Sequence, residues 1–106
     1  MSRMSNAADA IETAVLTAPG ITDRALRAAI LESAAAACGL AEPAELPADL
    51  APLLDKMWRN AYKVVDRDIE TLRAAGYADD ALFEIIVSAA AGAGLARLRR
   101  GLELMA

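Results

Sequence analysis

Between Ile85 and Leu95 the chain has no charged side chain, and Ser88 is the only polar one. Asp79-Asp80 stand before this stretch and Arg97, Arg99 and Arg100 after it, so it reads as the middle of a helix running from about Ala78–Asp80 to about Leu104. A helix apolar on nearly all sides is buried by neighbours, and this one is expected at the centre of the fold. Gly92 and Gly94 lie inside it, where each glycine costs about 1 kcal/mol against alanine. Close approach of another helix backbone explains that cost. The line Phe83, Val87, Ala90, Gly94, Leu98 places Gly94 at the expected contact.

The rest of the sequence has helical periodicity and no strand-like alternation. A first helix is expected from about Asn6 to Thr17, capped by Asn6, with Asp9 in its first turn and Pro19-Gly20 ending it. A second, with Thr22 as its N-cap, runs to about Cys38, with Leu26, Ala29, Ile30, Ala34 and Ala37 on its apolar face. Gly39 suits its C′ position and lets Leu40 fold back. The stretch from Gly39 to Pro47 reads as an exposed linker and the one candidate hinge. A third helix starts near Pro47 with Leu50, Leu53, Leu54, Met57, Trp58, Ala61 and Val64 or Val65 as its stripe. Asp66 reads as the N-cap of a short fourth helix, with Ile69 and Leu72 inward and Gly76 at its C′ position.

The expected fold class is all-α: a small bundle of about five helices around a central Ala/Gly-rich C-terminal helix. A chain of 106 residues has the length of one domain. Within it, residues 1–46 read as an N-terminal helical hairpin and linker, able to pack loosely or reach a neighbouring subunit, and residues 47–106 as the core. Hydrophobic residues make up 57% of the chain and aromatics only 4%, so the core is built from alanine and aliphatic side chains. Such a core is thin, which favours oligomerisation.

Charge and reactive side chains exclude several functions. A net charge of -4 argues against nucleic acid and anionic membrane surfaces as partners. Arg97, Arg99 and Arg100 read as complementing the negative end of the last helix. Cys38 is the only cysteine, so neither an intrachain disulfide nor a CxxC motif is possible, and it reads as a small buried hydrophobe. With no histidine, the ligands for a structural zinc site are missing, and no metal or other cofactor is expected. Asp79-Asp80 and Asp66-x-Asp68 lack the pattern of a calcium loop. The N-terminal segment is broken by Asp9 and Glu12, unlike a signal peptide, and Ile85–Leu95 falls short of the roughly 20 residues that span a bilayer. A cytoplasmic protein is expected.

The run IETLRAAGYADDALFEIIVSAAAGAGLARLRRGLELM, from Ile69 to Met105, resembles the carboxymuconolactone decarboxylase and alkylhydroperoxidase D-like family. The matching pieces are Ala74-Ala75-Gly76, Asp79-Asp80, Phe83-Glu84-Ile85-Ile86 and Ala89 through Leu95, and the resemblance extends over roughly Leu50 to Leu102. It implies an alkylhydroperoxidase D-like bundle and homo-oligomers, from dimers to hexamers. Redox members of the family carry C-x-x-C, then a histidine four residues on, then the glycine about eight residues later. Counted back from Gly76, those slots fall on Ala61, Val64 and Asp68. None can form a peroxidatic thiolate, resolve a disulfide or relay a proton near neutrality.

The remaining candidate site is the polar cluster Lys56, Arg59, Tyr62, Lys63, Asp66 and Asp68. Lys56, Arg59 and Lys63 lie at i, i+3 and i+7 of the third helix, so they share one face. A lysine, a carboxylate and a tyrosine together suit proton transfer on a carbonyl substrate, with Tyr62, Lys63, Asp66 and Asp68 as the acting groups. The same residues also describe a solvated helix face followed by a cap. Trp58 falls on the apolar stripe and reads as core. Two functions follow. One is a redox-inactive relative that works as a homo-oligomer or as an accessory to a protein partner. The other is a non-redox enzyme of the decarboxylase or lactone-processing type.

Overall fold

The computed structural model describes residues 2–42, 44–60 and 63–105, and all regular structure among them is helical. In chain order the helices are α1 (Ser2–Thr17), α2 (Arg24–Ala37), α3 (Ala51–Arg59), α4 (Asp66–Ala74) and α5 (Asp79–Met105). The long α5 is central: α2, α1 and α3 all pack on it, α2 most extensively. The N-terminal hairpin, read as able to pack loosely or reach a neighbouring subunit, is seated on α5 of its own chain.

The main core joins Ile30 of α2, Leu50 just before α3, Leu53 and Leu54 of α3, Leu72 of α4, and Leu82, Ile85 and Ala89 of α5. Ile30, Leu50, Leu54, Leu72 and Ile85 are the largest fully buried side chains. Fully burying one such aliphatic side chain stabilises by roughly 1.5–3 kcal/mol. A second cluster of Ala8, Leu31 and Leu95 holds α1 against α2 and α5. Trp58 is half-buried against the main core, and its Nε1 donates to the Ala89 carbonyl at 3.3 Å, as its place on the apolar stripe implies.

Several boundaries differ from expectation. The first helix starts at Ser2, so Asn6 lies within it; no proline or glycine interrupts the segment before Pro19. Asp23, not Thr22, occupies the N-cap position of α2, because Thr22 is bonded elsewhere. The third helix starts at Ala51, after a turn in which Leu50 and Ala51 donate to the Pro47 carbonyl. It ends at Arg59. Asn60 leaves helical geometry at φ -148° and ψ 64°, and its carbonyl accepts from Lys63 N. Val64 still reaches the core, but from backbone outside either helix. Ala61, the other residue expected on that stripe, lies outside the described residues.

The two helix ends assigned to glycine have the geometry that requires it. Gly39 has φ 76°, its N–H donates to Ala36, and Leu40 N folds back onto the Ala35 carbonyl. Gly76 has φ 107°, with Gly76 N on Arg73 and Tyr77 N on Leu72. Both are Schellman closures, in which a residue without a Cβ takes the left-handed position.

The fifth helix is covered on three sides rather than all round. Gly92 faces α2: a Cβ on it would lie 3.0 Å from Ala34 Cβ and 3.2 Å from Leu31 Cδ2. Gly94, expected at the contact, has no neighbour within 4 Å of a Cβ position. Two residues turn a helix by about 200°, so the two glycines point nearly opposite ways. The uncovered side carries Phe83, 68% exposed, and Val87, 46% exposed, with Ala90 and Gly94 following. By length and composition alone α5 could also cross a membrane. Of its most apolar segment 39% is buried within the chain, where α1, α2 and α3 pack on it.

Candidate functional site

The polar cluster at the α3–α4 junction separates into structural pairs. Lys56 Nζ lies 2.8 Å from Asp68 Oδ1, and Asp68 Oδ2 accepts from Val65 N at 2.9 Å. Asp68 stands three residues after Val65, where a carboxylate reaches back to the N–H of the cap residue. The Lys56 hydrogen bond, followed by the Val65 N–H, holds the Asp68 carboxyl below its ordinary pKa. Val65 takes the cap position expected for Asp66, which becomes the first residue of α4 and is exposed. Arg59 pairs with Asp55 on its own helix at 2.7 Å. Lys63 is exposed and sits beyond the end of α3, so it does not continue the face of Lys56 and Arg59. Tyr62 and Ala61 lie outside the described residues. Of the redox-motif slots, Val64 packs on the core and Asp68 is ion-paired.

A different tyrosine–carboxylate pair is present. Tyr77 Oη donates to Asp49 Oδ1 at 2.8 Å and ties the α4–α5 connection to the turn before α3. Partial burial, then the bond to Asp49, pushes the Tyr77 phenol up, which opposes a role as a proton donor near neutrality.

The larger clefts lie elsewhere. One of about 490 Å³ is lined by the apolar Leu31, Leu40 and Leu95, by Gly92 and by the charged Glu12, Glu32, Arg99 and Glu103. Another of about 290 Å³ lies between α1 and the first half of α5, lined by Val15, Ala18, Arg27, Phe83, Val87 and Ser88. A shallow one of about 560 Å³ runs past Ser33, Leu46, Asp55 and Trp58. Lys56, Lys63, Asp66 and Asp68 line none of these three. Cys38 is half-buried at the end of α2, beside a cavity of about 70 Å³ shared with Trp58, Arg59 and Arg97. Among the described residues no three metal-ligating side chains come together.

Two polar residues have architectural roles that the sequence did not suggest. Glu84 accepts three hydrogen bonds from the α1–α2 loop: Ile21 N at 2.8 Å, Thr22 N at 2.9 Å and Thr22 Oγ1 at 2.7 Å. The two backbone N–H groups, then the hydroxyl, hold its carboxyl at about 2. Arg27, 8% exposed, donates through Nη1 to the Val15 and Ala18 carbonyls at 2.9 and 2.6 Å. It thereby satisfies free carbonyls at the C-terminus of α1, where a cation is favoured. The arginines expected to complement α5 act differently. Arg99 bridges to Asp9 and Glu12 of α1 at 3.0 and 2.9 Å, and Arg97 reaches the Trp58 carbonyl at 3.4 Å. They stand before the last turn of α5, which has no basic residue.

The most chemically distinctive surface is therefore the open side of α5, where large apolar side chains face solvent beside an apolar groove. No family model, curated protein or solved structure matches this chain.

Proposed function

We propose that this chain works by packing against protein, as a homo-oligomer or an accessory subunit, and that it performs no chemistry at the α3–α4 junction. One observation carries the reading: α5 is buried on three sides and leaves Phe83 and Val87 exposed on the fourth. Apolar groups of that size, adjacent on one helix face, are the kind of surface that a partner protein covers. The junction residues support the same reading, because Asp68 and Lys56 neutralise each other and Arg59 is held by Asp55.

The resemblance to the carboxymuconolactone decarboxylase and alkylhydroperoxidase D-like family agrees with this reading, as that of a relative without the redox residues. The acidic balance and single thiol favour a cytoplasmic setting. No placement of Lys63, Asp66 or Asp68 favours the decarboxylase alternative.

The test is native mass spectrometry of the protein as isolated from its own cells, wild type against Phe83→Glu. The wild type is expected in an assembly of two or more chains and the variant as a single chain. A wild-type protein that leaves its cells as a single chain overturns the proposal.

A further inference from the structure

The open side of α5 is a regular seam. Asp80, Phe83, Val87, Ala90, Gly94 and Arg97 recur at alternating steps of three and four residues, and all six are exposed. That spacing is the a/d repeat by which one helix lies along another. It occurs on the one side of α5 that α1, α2 and α3 leave uncovered, opposite Gly92.

Resting on the reading that this face docks protein, we propose that its occupant is the same face of a second copy, in an antiparallel two-fold pair. In the proposed register Asp80 lies opposite Arg97 of the second copy, Phe83 opposite its Gly94, and Val87 opposite its Ala90. Charge selects this arrangement. Among the described residues Asp80 takes part in no ion pair, while Arg97 makes one long bond, to the Trp58 carbonyl. Antiparallel pairing brings these opposite charges together twice, once at each end of the apolar segment. Parallel pairing sets Asp80 against Asp80 and Arg97 against Arg97. The next antiparallel register sets Asp80 against Leu104 and Arg97 against Val87, leaving both charges against apolar side chains. Shape selects the same register. Phe83, the largest side chain on the seam, meets Gly94, where nothing lies within 4 Å of a Cβ position. In a two-fold pair each contact occurs twice, so one large–small match serves both ends.

The experiment compares light scattering at low micromolar concentration for the wild type, Asp80→Arg, Arg97→Asp and an equimolar mixture of the two variants. The wild type is expected to be a dimer. Each variant sets like charges together at both ends and should weaken association roughly ten- to hundred-fold. In the mixture, the two substituted side chains, now of opposite sign, face each other at one end of the pair. The unaltered Asp80 and Arg97 face each other at the other end, so a heterodimer should reappear. Circular dichroism confirms that each variant is folded before mixing. A monomeric wild type overturns the self-pairing, as does one that floats with phosphatidylcholine vesicles. A wild-type dimer with variants that dimerise equally well, or whose mixture stays monomeric, overturns the register. A chain monomeric when purified alone but assembled with a different protein in the native mass experiment would sink this pairing and leave the docking function standing.

Discussion

Thr22 and Glu84 stand 62 positions apart and meet through two hydrogen bonds, Thr22 N and Oγ1 both donating to Glu84 Oε1. With Ile21 N on Oε2, the carboxylate closes the loop between α1 and α2 onto the first turns of α5. The loop therefore depends on the charge state of one side chain.

That dependence gives the chain an acid-sensitive element. The Glu84 carboxyl is held at about 2 in the folded protein, against an ordinary value of 4.5. A depressed carboxyl stabilises the fold at pH above the unfolded value, and the contribution is lost as pH falls from 4.5 towards 2. Asp68 is shifted in the same direction, so the wild type alone cannot isolate Glu84. The expected result is that stability of Glu84→Gln, measured by urea unfolding, falls less steeply across that interval than that of the wild type. Parallel curves would remove Glu84 from the account.

Gly20 is part of the same arrangement. A Cβ there would lie 2.6 Å from Glu84 Oε1 and 2.9 Å from its carboxyl carbon. A flexible glutamate could swing aside, but this one is held by three bonds, so an alanine must break them or push the loop away. Gly20→Ala is expected to destabilise by about 1–3 kcal/mol at neutral pH, as overpacking does. It should also remove most of the further effect of Glu84→Gln, because both substitutions break the same contact. Additive losses in the double variant would separate the two residues.

The fold is legible in the sequence where a pattern has one physical meaning. Glycine after a run of helix formers marks both Schellman ends, and the stripe Leu50, Leu53, Leu54, Met57, Trp58 marks the inner face of α3. The phase of α5 is not legible. From Ala89 to Gly94 every side chain is alanine or glycine, so no large residue shows which side is buried, and the contact expected at Gly94 falls on Gly92 instead. The end of α3 is hidden because periodicity continues through Ala61 and Val64, although the helix stops at Arg59. Glu84 and Arg27 escape for another reason. Their partners are backbone groups of a distant loop and helix end, and nothing local in sequence marks such an acceptor. The candidate site is legible as a set of charges, but their pairing as Lys56–Asp68 and Arg59–Asp55 emerges only from the fold.

A thiol peroxidase reaction is expected to be absent. Cys38 is the only thiol, half-buried at the end of α2, with no second cysteine to resolve an oxidised form. Steady-state consumption of hydrogen peroxide with a dithiol donor should equal the rate without protein. Turnover that disappears in Cys38→Ser would overturn this expectation and assign the thiol a catalytic role.

The two glycines of α5 should respond oppositely to the same substitution. At Gly92 an added Cβ meets Ala34 Cβ at 3.0 Å, and that methyl is fixed to the α2 backbone with no rotamer to change, so the helices must separate. The strain of about 1–3 kcal/mol outweighs the roughly 1 kcal/mol by which alanine favours a helix over glycine. Gly92→Ala is therefore expected to lower the thermal midpoint and Gly92→Leu to lower it much further. At Gly94 the Cβ position is open within the chain, so only the helix term acts and Gly94→Ala should stabilise a single chain by up to about 1 kcal/mol. A larger side chain at Gly94 should leave the isolated chain folded but displace Phe83 of a second copy. Thermal unfolding at two protein concentrations separates these effects. Gly92→Leu should lose stability equally at both, while Gly94→Leu should lose the concentration dependence expected of an associating wild type. A Gly92→Leu variant as stable as the wild type would show that α2 does not hold α5 at this glycine.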